Sequence, residues 1–136
     1  MKNLLLMASF VLASAPALSD NVGEAKRLLC AQGQVMVCLH SADCAFVPPE
    51  AVASPQFVVL DTRKKTVATT QASGDGRSSK LASLSREGGL IMAQGKHDER
   101  AFSFVIDEAT GTFTGSVASD GYTINSFGAC TDADID

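Results

Sequence analysis

Several signatures are missing from this sequence, and each absence removes a class of chemistry. There is no Cys-x-x-Cys pair, so the four cysteines do not read as a zinc or dithiol redox site. There is no Gly-x-Ser-x-Gly elbow, the strained turn that presents the serine nucleophile of an α/β-hydrolase. Gly74-Asp75-Gly76 has no phosphate-loop lysine beside it and opens no obvious helix, so it reads as a flexible loop. No apolar run reaches the roughly 20 residues that a membrane-spanning helix needs. Repeats of roughly 20–50 residues and heptads are absent as well. The sequence therefore implies no cofactor, no metal and no assembled catalytic residues.

What is present begins with the first nineteen residues. Lys2 supplies a positive start, Leu4 to Leu12 an apolar core, and Ala13-Ser14-Ala15-Pro16-Ala17-Leu18-Ser19 a run of small residues. This is the grammar of a secretory signal peptide at 1–19. Small residues one and three positions before the cut allow cleavage after Ala17 or after Ser19. A cut after Ala15 would place Pro16, with its fixed φ and missing N–H, directly behind the scissile bond. A lipoprotein signal does not fit, because Lys26 and Arg27 precede the nearest cysteine, Cys30. The expected product is periplasmic or secreted, with no membrane anchor after cleavage. It would have about 117–119 residues, the length of one ordinary domain.

Charge narrows the partners. The formal net charge is −4, and losing Lys2 makes it one unit more negative. Mild acidity argues against nucleic acid or an anionic membrane. The densest basic cluster, Arg63-Lys64-Lys65, reads as a solvated hairpin loop. The remaining partner classes are an unknown protein or a small ligand.

The cysteines are best read through export. In an oxidising compartment an even count implies disulfides, and four cysteines allow three connectivities. The favoured pairing is Cys38–Cys44 as a local staple and Cys30–Cys130 as a clasp across the domain.

From Phe57 onward the chain reads as short strands separated by turn chemistry. Strands are expected at Phe57 to Asp61, Thr66 to Thr70, Ser79 to Arg86 (weakly patterned), Leu90 to Gln94 and Phe102 to Asp107. They continue from Thr112 and from Tyr122 to Cys130. The turns are 62–65, Ser73 to Gly76, Arg86 to Gly89, Gly95 to Glu99, Glu108 to Gly111 and Asp120-Gly121. Nearer the start, Val35 to Leu39 suits a strand and Pro48 to Ala51 a single 3₁₀ or helical turn. Glu24 to Ala31 suits a short helix first, with a strand at Leu28 to Cys30 as the near alternative. The fold class expected is all-β: a small antiparallel meander barrel or strongly curved sheet, stapled by two disulfides. It forms a single domain over 20–131, followed by an acidic disordered tail at 132–136.

Candidate sites are few. His97-Asp98-Glu99 sets an imidazole beside two carboxylates, but neighbours on a tight turn diverge, so a solvated turn is expected. His40, Ser41 and Asp43 are too close in sequence for a triad, which is assembled across a fold. Asp132, Asp134 and Asp136 alternate as in a calcium loop, yet the glycine and distal glutamate of such a loop are missing. A small hydrolase using His97, Asp98 or Asp107 is the enzymatic alternative, and a structural envelope component is the third reading.

The segment Ala72-Ser73-Gly74-Asp75-Gly76-Arg77-Ser78-Ser79 is small and polar, with one guanidinium available to a partner carboxylate. Its Ala-Ser-Gly core resembles the signature loop of the periplasmic C-type lysozyme inhibitors. That resemblance implies an exported small β-barrel tied by a disulfide, with the family's inhibitory serine at Ser73. Phe102 to Asp107 and Phe127-Gly128-Ala129-Cys130 resemble segments of short exported bacterial β proteins, which implies export and a β fold. The function expected is thus a non-enzymatic binding module, with Ser73, Gly74 and Arg77 as its contact residues and a lysozyme-type hydrolase as one possible target.

Overall fold

Nine strands run through the described residues, 21–73 and 76–134 of the computed structural model. They are β1 (Arg27–Leu39), β2 (Ala45–Val47), β3 (Phe57–Asp61), β4 (Thr66–Thr69) and β5 (Ser78–Glu87), then β6 (Leu90–His97), β7 (Arg100–Asp107), β8 (Thr112–Ser119) and β9 (Tyr122–Asp132). The expected leader at 1–19 and the loop residue Gly74 lie outside the described residues. Single 3₁₀ turns occupy Pro49–Val52 and Gln71–Ser73. No helix among the described residues is long and apolar enough to cross a membrane.

Consecutive strands from β3 to β9 pair antiparallel, and β9 returns to pair with β1. Since β1 also pairs with β3, eight strands close on themselves as an antiparallel barrel. The ninth, β2, folds back on the far half of β1. Closure leaves the barrel strands without a continuous free edge.

Alternation decides which residues fill the interior. On β7, Phe102, Phe104 and Ile106 are buried while Ala101 and Val105 are exposed. Apolar residues point inward and most outward positions are polar, the reverse of a barrel whose outer band faces lipid. Three rings meet in the interior: Phe102 stacks on Phe104 with centroids 5.0 Å apart, and Phe113 lies tilted against Phe104 with centroids 5.3 Å apart. Glycine makes the room. A Cβ at Gly115 would lie 2.9 Å from the Phe113 ring, and one at Gly128 would collide with the Ala31 carbonyl of β1.

The short helix expected over Glu24 to Ala31 does not form: from Arg27 that segment is the first part of β1. Leu28, Cys30 and Gln32 are buried at every second position, a period that a helix could not satisfy. The expected strand at Val35 to Leu39 is the far half of this same β1. A register shift between Gln32 and Gln34 inserts Gly33 as a bulge, and the inward parity then passes from even positions to Val35. The turn expected at Gly95 to Glu99 is shorter than its sequence suggests, because β6 continues to His97. Only Asp98 and Glu99 turn, with Asp98 at φ 51°. The disordered tail expected at 132–136 is corrected for its first three residues. Asp132 ends β9, and Asp134 accepts a hydrogen bond from the Lys26 backbone N–H at 2.8 Å.

Both disulfides take the favoured pairing, Cys30–Cys130 and Cys38–Cys44. Cys30 and Cys130 are register partners on β1 and β9, so the clasp lies across the seam that closes the barrel. Two disulfides and no free cysteine among the described residues indicate an oxidising, non-cytoplasmic location.

The two barrel ends differ. At one, residues 21–26 fold under the strands, and Val22 and Ala25 join the buried core. Arg86 holds this segment by donating to the Gly23 carbonyl and, at 2.5 Å, to the Ala25 carbonyl, while pairing with Glu108 at 3.2 Å. The other end stays open.

Candidate functional site

The open end is made where β5, β7 and β9 begin and β4 and β6 finish. There the inward alternation of several strands runs past the last apolar residue onto polar ones. On β7 the inward series from the end downward is Arg100, Phe102, Phe104, Ile106. On β6 it is His97, Gly95, Ala93, Ile91. Two residues of strand advance about 6.6 Å, so Arg100 stands roughly that far above Phe102.

These residues surround a cavity of about 110 Å³. Its floor is apolar, from Val58, Val67, Phe102, Phe104, Val117 and Ile124. Its rim carries Arg77, His97, Arg100 and Ser79, and no aspartate or glutamate is among the described residues that line it. Ser126 adds a hydroxyl at depth. The residue is 3 % exposed and lines the cavity.

The rim is fixed by specific contacts. Arg100 lies over the Tyr122 ring, 5.8 Å from its centroid, a cation–π contact that limits its rotamers. Ser79 Oγ and His97 Nδ1 are 2.7 Å apart, across the β5–β6 pair. Gln32, buried on β1, donates through Nε2 to the Pro55 carbonyl at 2.8 Å and accepts from Ser54 Oγ at 3.2 Å. This ties the segment after the first 3₁₀ turn across one side of the mouth. Arg77 donates to the Ala53 carbonyl at 3.4 Å and joins the same wall.

Among the residues expected from sequence, Ser73 and Arg77 do come together. Both line an outer cleft beside the mouth, with Glu50 and Gln56 opposite, and Arg77 also faces the barrel cavity. Ser73, however, is engaged by the backbone: its Oγ accepts from Phe57 N–H at 3.0 Å and lies 3.2 Å from Thr70 Oγ1. It holds the start of β3. Gly74, between them, lies outside the described residues.

The groups named for a hydrolase do not converge. His97 sits at the open end, and Asp107 ends β7 at the closed one. Asp98 reaches His97 Nε2 only at 3.5 Å, with its side chain 85 % exposed. The Asp107 carboxyl is held below its ordinary range, chiefly by the Thr110 backbone N–H and then by the Thr110 hydroxyl. The Ala109 N–H adds a little, against a small desolvation penalty. Asp107 thus organises its turn. His40, Ser41 and Asp43 are exposed in the loop after β1, and no group of three or more His, Cys, Asp or Glu among the described residues is placed to hold a metal.

His97, Arg100, Ser79, Gln32 and Ser126 were not identified from sequence as one site, because barrel closure assembles them from five strands. One signal was available: extending the inward parity of β6 and β7 by one step past Gly95 and Phe102 reaches His97 and Arg100. Comparison with protein-family models, with curated proteins and with solved structures finds no match to this chain.

Proposed function

We propose that the protein is a non-enzymatic binding module, working in the periplasm or outside the cell, whose small ligand enters the open end of the barrel. One observation carries this reading. A pre-formed cavity of about 110 Å³, apolar below and polar at its rim, remains at one end of a barrel whose other end is filled. Binding sites of small barrels are typically such mouths, apolar with a few placed polar groups. A cavity of about 150 Å³ accommodates benzene, and this one is about 110 Å³, so the buried part of the ligand is most of one small ring or a short branched chain, with its polar end at the open rim. The test is an NMR titration with toluene and with benzyl alcohol. Shifts should concentrate at Phe102, Val117 and Ile124, and Val117→Phe should abolish them. Shifts confined to the outer face would remove the reading.

A second reading, inhibition of a lysozyme-type hydrolase, draws support from the outer cleft that Ser73 and Arg77 share. Purified protein would then inhibit lysozyme, and Arg77→Ala would lose inhibition while staying folded. Arg77→Ala is the cleaner variant, since Ser73→Ala also releases the Phe57 N–H.

A further inference from the structure

The chemistry of the mouth narrows the ligand class, on the premise that the barrel cavity is the binding site. Two arginines, Arg77 and Arg100, line its rim beside His97, whose Nε2 lies 3.5 Å from the exposed Asp98 carboxylate, and no described carboxylate lines the cavity itself. The protein as a whole is acidic, with a formal net charge of −4. The basic rim is therefore a local feature that opposes the overall charge. Arg100 is the central element. It makes no ion pair among the described residues, and its position over Tyr122 pre-orders its planar fork. A guanidinium held this way matches the two oxygens of a carboxylate, and little side-chain entropy is lost on binding. Beneath it, about 6.6 Å along β7, lies the Phe102 ring, followed by Phe104. The buried Ser126 hydroxyl offers a further polar contact at the side of the cavity.

We infer that the barrel mouth takes a small amphipathic organic anion, a carboxylate on one ring or a short branched chain, with its charged end on Arg100 and its apolar end on Phe102 and Phe104. The charge order follows directly. An anion gains a charge-assisted pair, a neutral isostere keeps only the apolar contact, and a cation meets two arginines.

Benzoate, benzamide and benzamidinium test this, because they share a shape and carry charges of −1, 0 and +1. Each is titrated into the oxidised protein at low salt, with binding followed by NMR shifts of Phe102, Val117 and Ile124. Benzoate should bind about tenfold more tightly than benzamide, as one charge-assisted hydrogen bond warrants. Benzamidinium should not bind measurably. Arg100→Gln should bring benzoate to the affinity of benzamide and leave benzamide unchanged. Arg63→Gln removes the same charge from an exposed turn at the far end, and it should change nothing. Equal affinity for the three probes, or an equal loss of benzoate in both variants, would overturn the anion assignment while leaving the cavity a ligand site. No binding of any probe would overturn both.

Discussion

At one end of the barrel Val22, Ala25, Leu28, Ile91 and Phe113 are almost completely removed from water. At the other, Arg77, His97 and Arg100 surround a cavity that water can enter. The same strands build both. The difference arises because residues 21–26 fold under one set of strand ends, whereas at the other the segment from Ala53 to Gln56 lies along one side of the mouth. The closed end carries the contacts that hold the fold, and the open end can place polar groups for recognition at little cost to stability.

The sharpest way to break this comparison is through the two disulfides. Cys30–Cys130 spans a sequence separation of 100, and Cys38–Cys44 a separation of 6. Replacing the first pair by alanine should cost about 4–5 kcal/mol by loop-closure entropy, and replacing the second about 2 kcal/mol. Urea denaturation of the two double variants measures both. Equal losses would mean that the barrel seam does not dominate stability.

Next in size is a contrast between filled and rimmed positions. Phe113→Ala empties a fully buried ring site and should cost about 3–5 kcal/mol. Arg100→Ala touches only the rim and should stay within about 0.5 kcal/mol. A large loss at Arg100 would make that arginine part of the scaffold, and the two ends would no longer differ in what they contribute to stability.

Arg86→Ala tests the plug itself. It removes two hydrogen bonds to backbone carbonyls and the pair with Glu108, for an expected cost of about 1–3 kcal/mol. Hydrogen exchange should accelerate first at Val22 and Ala25, whose amides bond to the Glu108 and Val22 carbonyls. Unchanged protection there would show that burial alone seats the segment.

Sequence reading succeeded where alternation was unbroken and turns were chemically marked. Phe102 to Asp107 and its return strand have both, and they pair as the pattern suggests. It faltered where register shifts. Gly33 changes the inward parity of β1, so one strand looked like an ambiguous segment followed by a strand. The shift between Leu81 and Ser83 on β5 blurred that strand in the same way. The mouth was harder still. Arg77 stood out as an isolated guanidinium in a polar loop, but Arg100 sits beside charged turn residues in sequence and acquires its setting only from Tyr122, on another strand. The cysteine pairing was legible because an expected oxidising compartment and an even count limit the choices to three, though not that the clasp lies on the closing seam.

The smallest effect concerns pH and belongs to the closed end. Asp107 has its carboxyl held below 3.8, mainly by the Thr110 backbone N–H and then by its hydroxyl. The folded state therefore favours the ionised form more than the unfolded state does. Its contribution is complete above the ordinary aspartate range and drains away as pH falls through the lowered folded value. Carbon-13 titration of the Asp107 carboxyl should give a midpoint below 3.8, and a midpoint at or above that value would break the argument. Asp107→Asn should lower Tm near neutrality, and the difference should shrink toward zero in strong acid. The same turn supplies the Glu108 carbonyl that holds Val22. Acid should therefore loosen the plug before it disturbs the mouth, with amide exchange at Val22 rising ahead of that at Val117.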